Sequence, residues 1–341
     1  MINKKFDTIV FVGRFQPLHN AHVATLKKAY SLANQVLIVI GSAGEPSTYK
    51  NPLSAEQRED ILIYAMADID IPEKDYKIIY QEDCLYSDIK WFSEIQDKVA
   101  KHTNPTDTIG IIGFEKDSSS FYLKGFPQWE YIEMPLVEHL SSTDIRTLYF
   151  VENPNLKFIK GVIPKATFEF LEDNVNTDFR TNIVNERRFV ENYKKPYVNL
   201  PYPPIFVTTD AVVFQSGHVL MIRRKAFPGN GLLALPGGFV NANTDKSLED
   251  AMIRELREET KIKVPPAVLR SSITETKVFD AIQRSTRGRT ITHAFNIVLN
   301  EPELPKLKAS SDASDAMWIP ISQIKRNECY EDHYHIISYF I

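Results

Sequence analysis

The sequence predicts an α/β protein of two domains, and three observations carry that prediction. Short β-branched runs alternate with helix-length amphipathic stretches through the first half of the 341 residues. Four prolines fall within residues 196–204, a break that neither a helix nor a central strand tolerates. Beyond that break the pattern turns to hairpin-like strands with few helices, so the two halves differ in kind as well as position.

In chain order, DTIVFV and QVLIVIG read as buried strands, with HNAHVATLKKAYSLA helical between them. SAEQREDILIYAM is a helix with a serine start, YKIIY a strand, and SDIKWFSEIQDKVAKH a further helix. TIGIIG and WEYIEM complete the strands. Strand–helix alternation at this spacing implies βαβ units and a mostly parallel open sheet, with ligands beyond the carboxyl ends of its strands. Residues 180–195 read as one polar helix, and KKPYVNLPYPPIF as a linker with a domain boundary near residue 200. VTTDAVVFQSGHVLMIRR then reads as two strands around a Ser-Gly turn, followed by a charged helix, the strand THAFNIVL and a C-terminal helix.

Composition narrows the function classes. With 43% hydrophobic and 25% charged residues, each half has the material for a full core. A net charge of -4 argues against a dedicated nucleic-acid binder. The two cysteines, Cys84 and Cys329, lack ligand spacing and fit a reduced compartment. The N-terminus has no signal-peptide core, and no run approaches the ~18 apolar residues of a membrane span. The expectation is a soluble cytoplasmic protein without nucleic-acid or membrane partners. Oligomeric state stays open, a homo-oligomer included.

Two stretches carry chemistry. In GRFQPLHNAH, His19 and His22 lie three apart at a helix entry and so share one face. Free amides at such an entry favour phosphate, and two imidazoles can donate to a phosphoryl group as its charge builds. A bare HxxH is ordinarily a surface or capping feature, and without an HExxH glutamate it is no zinc-protease motif. In the second stretch, RELREET, three glutamates occupy residues 255–259 of a helix that Ser247 opens. At helical spacing Leu248, Met252 and Leu256 form the apolar stripe. Glu255 and Glu259 lie beside and within it, with Glu258 at its edge and Arg254 and Arg257 directed away. Carboxylates crowded toward a core call for a cation, and oxygen-rich clusters select Mg²⁺ or Mn²⁺.

GRFQPLHNAH resembles the GRFQPxHxGH signature of adenylyltransferases of the nucleotidyltransferase superfamily, with Ala21 where glycine is usual. LSSTDIR resembles their second signature, ISSTxIR, and GSAGEPSTYKNPLSAEQR the segment after their second strand. Across roughly residues 6–180 the resemblance is to archaeal-type nicotinamide mononucleotide (NMN) adenylyltransferases. It implies a Rossmann-like domain that transfers AMP from ATP to NMN, with Mg²⁺ offsetting charge. On that resemblance His19, His22 and Arg14 hold the ATP phosphates. Ser141, Ser142, Thr143 and Arg146 form a second phosphate clamp, and Trp91 and Asn51 lie toward NMN. Arg58 is a weaker candidate, equally readable as a solvated helix residue.

LPGGFV followed by RELREE resembles the Nudix box, over about residues 204–341. RELREE matches fully. With two residues inserted in NANTDK, the first glutamate of the box falls on Lys246, or on Asp245 if the loop shifts, and its last glycine is Lys261. The resemblance implies an α+β domain in which Glu255, Glu258, Glu259 and the carbonyl near Gly238 hold Mg²⁺ or Mn²⁺. The glutamate lost from the box would have braced Arg254. RGRTITHAF looks like the Nudix domains fused to NMN adenylyltransferases, whose substrate is ADP-ribose. Of Arg284, Arg287 and Arg289, the first and last are expected to hold its diphosphate.

The sequence thus implies an adenylyltransferase domain over 1–183, a linker over 184–203 and a Nudix hydrolase domain over 204–341. ATP, NMN and ADP-ribose are the expected substrates. The general base of the second site is not identifiable. The alternative is a Nudix half that senses ADP-ribose or NAD without hydrolysing it, which the altered first half of the box motivates. A second alternative keeps the transferase but changes the acceptor nucleotide.

Overall fold

A computed structural model describes residues 4–115, 118–135, 141–300, 302–308 and 313–341. The chain forms two compact units, Met1–Val184 and Asn185–Ile341.

The first unit is built on β1 (Phe6–Gly13), β2 (Ala33–Ile40), β3 (Tyr76–Tyr80), β4 (Ile109–Gly113) and β5 (Glu130–Glu133). They pair in the order β3-β2-β1-β4-β5, and every pairing is parallel. Between and after them run α1 (Asn20–Leu32), α2 (Ala55–Asp68), α3 (Asp88–Ala100), α4 (Ser142–Tyr149) and α5 (Lys165–Asp173), while α6 (Asp178–Lys194) begins in this unit and continues past its last residue, Val184. The unbroken apolar runs of β1 and β2 follow from burial on both faces. Ile9, Phe11, Ile38 and Ile40 pack with Leu26 of α1 and Leu62 of α2. Val10, Val12, Leu37 and Val39 pack with Ile95 and Val99 of α3 on the other face. Strand order reverses at β1, so the loop leaving its carboxyl end opens where such sheets take ligands. That loop is the GRFQPLH segment.

The polar helix expected over 180–195 is α6, so the span 184–203 given to the linker opens on helix. Irregular backbone starts past Lys194 and a short turn at Lys195–Tyr197, where the prolines cluster.

The second unit contains β6 (Ile205–Gln215), β7 (His218–Arg224), β8 (Leu233–Ala234), β9 (Gly237–Phe239), α7 (Leu248–Thr260), α8 (Pro266–Ser271), β10 (Ile273–Phe279), β11 (Arg289–Val298), β12 (Ala313–Pro320) and α9 (His333–Phe340). Its mixed sheet runs β10-β11-β6-β7-β12, with β8 on β7 and β9 on β6. The Ser-Gly turn joins β6 to β7 with both residues at positive φ, 49° and 71°, a backbone whose twist matches a hairpin. Alternation along β6 separates two cores. Ala211 and Val213 face Met252 and Leu256 of α7, whereas Val212 faces Ile336 and Ile337 of α9. No helix among the described residues is long and apolar enough to cross a membrane.

Helix α7 starts at Ser247, whose hydroxyl accepts from the Asp250 amide at 3.1 Å. It ends on Lys261 at φ 48°, the left-handed position that glycine occupies without steric cost. A lysine there is strained by about 1 kcal/mol. Lys261→Gly is therefore expected to stabilise the unit by about that amount. Chemical denaturation of the full chain, read by far-UV circular dichroism, checks this; an unchanged or lower midpoint contradicts it.

Candidate functional site

In the first unit the two signatures meet. Ser142 at the start of α4 donates its hydroxyl to the Pro17 carbonyl at 3.0 Å, and Arg146 donates to the Gln16 carbonyl at 2.7 Å. Gln16 in turn clamps the segment before α2, donating to the Leu53 carbonyl at 2.7 Å and accepting from its amide at 2.9 Å. Ser141 caps α4 through a reciprocal pair with Asp144. Thr143 accepts from the second guanidinium nitrogen of Arg146 at 3.1 Å. Leu140, the first residue of LSSTDIR, lies outside the described residues.

His19 precedes α1 and is buried, and its ring lies 3.8 Å from that of His22, tilted by 31°. The His19 amide donates to Nδ1 of His22 at 3.2 Å, which fixes the neutral tautomer with its proton on Nε2. Burial, then the nearby His19, hold His22 well below the usual histidine range, so it stays neutral at physiological pH.

Arg58 departs from its reading as a solvated helix residue. It is 1% exposed and donates to the carbonyls of Arg14, Gly41, Ser42 and Ser54, which ties the ends of β1 and β2 to the start of α2. Burial pulls its pKa down to about 10 despite Asp83 and Glu56 in its field. Arg146 falls to about 10 for the same reason, with Arg14 repelling it further. Neither Arg58 nor Arg146 makes an ion pair among the described residues, and Nε of Arg146 is buried without a hydrogen-bond partner. Arg14 is exposed at the end of β1. Three guanidinium groups gathered without ion-pair partners among the described residues form a site short of negative charge, a deficit that phosphate is suited to fill.

Asn51 is buried, and its side-chain oxygen has no hydrogen-bond partner among the described residues. Trp91 is half-buried, its ring 5.5 Å from Phe92 and 5.7 Å from Tyr122. Tyr122 donates to the Val12 carbonyl at 3.2 Å, which places this ring cluster at the carboxyl end of β1.

In the second unit Arg254 is not directed away from the glutamates. It donates through two nitrogens to both oxygens of Asp245 at 2.8 Å, to Glu255 at 2.7 Å, to Glu258 at 3.2 Å and to the Phe239 carbonyl at 3.2 Å. The loop shift resolves the ambiguity of the box in favour of Asp245, while Lys246 is exposed. Asp245 is held by Arg254 and by the Asn241 amide, which bring its pKa down to about 2. The brace that the altered box seemed to lack is present, delivered from a longer loop by a shorter acid.

Glu259 accepts from the Gly237 amide at 2.9 Å. Burial pushes it up to about 8, beyond what that bond offsets, with Glu255 and Asp210 adding repulsion. Burial also raises Glu255, although Arg254 opposes the shift. A Cβ on Gly238 would lie 2.6 Å from the Glu255 carboxyl carbon, so only glycine lets the backbone approach that carboxylate. Desolvated carboxylate oxygens beside a bare backbone fit a hard divalent cation. Among the described residues no three such side chains are already gathered around one point, because Glu255 and Glu258 are turned to Arg254.

Arg284 and Arg289, expected at a diphosphate, are both engaged elsewhere. Arg284 is buried in a two-point pair with Asp332 at 2.8 and 2.9 Å, so its charge is spent inside the unit. Arg289 donates to the Asp280 carbonyl at 2.6 Å and lies 3.6 Å from its carboxylate. Spacing alone could not separate these from Arg287, because all three sit in one basic run.

Fold and site together define a nucleotidyltransferase-type sheet and a Nudix-type sheet in one chain. The cytidylyltransferase-like family matches residues 10–148, and the NUDIX domain family matches residues 204–340. The chain is 35% identical over 169 residues to a nicotinamide/nicotinic acid mononucleotide adenylyltransferase of Acinetobacter baylyi, covering 49% of this chain and 86% of that protein. It is 31% identical over 166 residues to a nicotinamide-nucleotide adenylyltransferase of Thermococcus kodakarensis, covering 48% and 81%. A solved bifunctional NMN adenylyltransferase/ADP ribose pyrophosphatase from Francisella tularensis superposes with a TM-score of 0.90 at 35% identity, over 98% of each chain. The same Francisella protein has also been solved with AMP and a manganese ion. An ADPR responsive transcriptional repressor of Acinetobacter baylyi is 27% identical over 163 residues, 47% of this chain and 60% of that one. The chain belongs to the family of NMN adenylyltransferases that carry a Nudix domain, and it is an enzyme of that class.

The raised Glu259 sets a pH test. Between the unfolded value of 4.5 and the folded value of about 8, the metal-free folded state holds a proton that the unfolded state has lost. That contribution to stability therefore declines as pH rises through the window. Glu259→Gln, which cannot ionise, is expected to stabilise the metal-free chain more at pH 8 than at pH 5. The difference should exceed about 1 kcal/mol, given about 1.4 kcal/mol per tenfold change in proton affinity. Denaturation in EDTA at both values measures it; an equal effect at the two contradicts it.

Proposed function

We propose that the chain is bifunctional in NAD metabolism. The domain over 1–183 transfers AMP from ATP to NMN, giving NAD and pyrophosphate. The domain over 204–341 hydrolyses ADP-ribose to AMP and ribose 5-phosphate.

The observation that supports the transfer is the clasp between the two signatures, which gathers Arg14, Arg58 and Arg146 around one loop without ion-pair partners among the described residues. A phosphate oxygen of NMN attacks the α-phosphorus of ATP, and the bond to pyrophosphate breaks. Such a step needs positioning and positive charge rather than a protein nucleophile. His22, neutral with its proton on Nε2, can donate a hydrogen bond to a phosphoryl oxygen, and buried His19 stacks against it. Arg146 has Nε in reserve for the same anion. The unpartnered oxygen of Asn51 suits an amide donor such as that of nicotinamide, and Trp91 offers a partly open ring face.

The observation that supports hydrolysis is the Asp245–Arg254 brace, which restores the support that the box sequence lacked. A divalent cation bound by Glu255, Glu258, Glu259 and the Gly238 carbonyl would neutralise the diphosphate and polarise a water. Mg²⁺ and Mn²⁺ both suit these oxygens. Arg254 holds Glu255 and Glu258 in place until that cation competes for them. Two observations favour the sensing alternative: both glutamates are turned to Arg254, and a relative is named an ADPR responsive repressor.

Two assays on the full chain decide between the readings. AMP release from ADP-ribose is expected with Mg²⁺ or Mn²⁺, lowered about a hundredfold or more by Glu258→Gln and about tenfold by Asp245→Asn. Binding of ADP-ribose without metal-dependent AMP release would leave only the sensor. NAD formation from ATP and NMN should fall about a hundredfold in His22→Ala and be untouched by Glu258→Gln. Absence of NAD formation in the unmodified chain would refute the transferase.

A further inference from the structure

Three arginines lie in the run between β10 and β11, and the structure separates them by what they already hold. Arg284 is neutralised by Asp332 inside the unit, and Arg289 is bonded to Asp280. Arg287 makes no side-chain hydrogen bond or ion pair among the described residues, and its Nε is buried without a partner.

Packing fixes where that free cation sits. The Arg287 guanidinium lies 4.9 Å over the ring of Phe239, a stacking that orients its planar fork without using its donors. Phe239 is held by a chain of edge-to-face rings, 5.8 Å to Phe206, which meets Tyr197 at 5.3 Å and Tyr193 at 5.8 Å. Gly288, at φ 145°, lets the loop lie against Phe206, where a Cβ would approach that ring to 3.2 Å. Phe239 also connects Arg287 to the carboxylates. Its carbonyl accepts from Arg254, and its neighbour Gly238 lies against Glu255. A guanidinium with unspent donors, seated over the ring of the residue that follows Gly238, matches a second anionic group next to a metal.

The geometry points to Arg287, rather than Arg284 or Arg289, as the residue that binds the diphosphate of the substrate in the second unit. This rests on the reading of that unit as an ADP-ribose site. The ring platform of Phe239, Phe206, Tyr193 and Tyr197 acts through Arg287 by holding its plane, so these are positioning residues. Arg287 binds the diphosphate in ground and transition states alike, and its loss falls on KM more than on kcat.

The test uses the full chain and two readouts. Calorimetric titration of ADP-ribose in EDTA gives affinity without turnover, and AMP release with Mn²⁺ gives KM and kcat. Arg287→Ala is expected to raise Kd and KM at least about tenfold, with kcat changed less. Arg287→Lys should recover part of the affinity but not the bidentate share. Arg289→Ala should stay within about twofold on both readouts, since its donors are already committed. Circular dichroism melts of each variant confirm that a weak binder is folded. Unmodified affinity and KM in folded Arg287→Ala, or a larger loss in Arg289→Ala, overturns the assignment. If the unmodified chain binds ADP-ribose without hydrolysing it, the hydrolytic reading fails, while the Arg287 effect on Kd still stands or falls by itself.

Discussion

A guanidinium group keeps its proton in a protein, so each buried arginine must be answered by oxygen, and the kind of oxygen decides what the site still needs. In the first unit Arg58 is answered by four backbone carbonyls, which carry partial charge only. Arg146 is answered by one carbonyl and one hydroxyl. Their positive charge remains, and burial shows in the lowered proton affinity of both. In the second unit Arg254 is answered by three carboxylates, and Glu259 is left buried beyond its reach. One site therefore lacks negative charge and the other lacks positive charge. On the functions proposed above, nucleotide phosphates would complete the first and a divalent cation the second.

The same constraint organises the backbone. Arg58 could not reach carbonyls at the ends of β1 and β2 and at the start of α2 unless those three ends converged, which the parallel order at the sheet's reversal point provides. Gln16 and Ser142 add bonds that hold the same loop against α2 and α4. In the second unit the loop over 241–246 carries Asp245 to Arg254, and the bare backbone of Gly238 leaves room for Glu255 beside it.

Much of this was legible in the sequence. Alternating apolar runs gave away a sheet buried on both faces, and the proline cluster marked where regular structure stops. The carboxylates of α7 and the paired histidines at the entry of α1 stood out because helical spacing sets their separation. What stayed hidden depends on contacts across loops. Arg58 looks like any helix arginine until the carbonyls around it are seen. Gln16 lies inside a recognised signature, yet its clamp on Leu53 spans 37 residues. Asp245 could be named only as one of two options, because an insertion erases register. Arg284, Arg287 and Arg289 form one basic run whose members differ only in which acids the fold brings to them.

The opposed charge demands of the two units are tested most directly by Mn²⁺ binding to the nucleotide-free full chain, followed by the electron paramagnetic resonance signal of free Mn²⁺. The carboxylates of α7 should bind the ion saturably without nucleotide, and Glu259→Gln should weaken that binding about tenfold or more. Absence of saturable binding, or binding that Glu259→Gln leaves unchanged, would contradict the account.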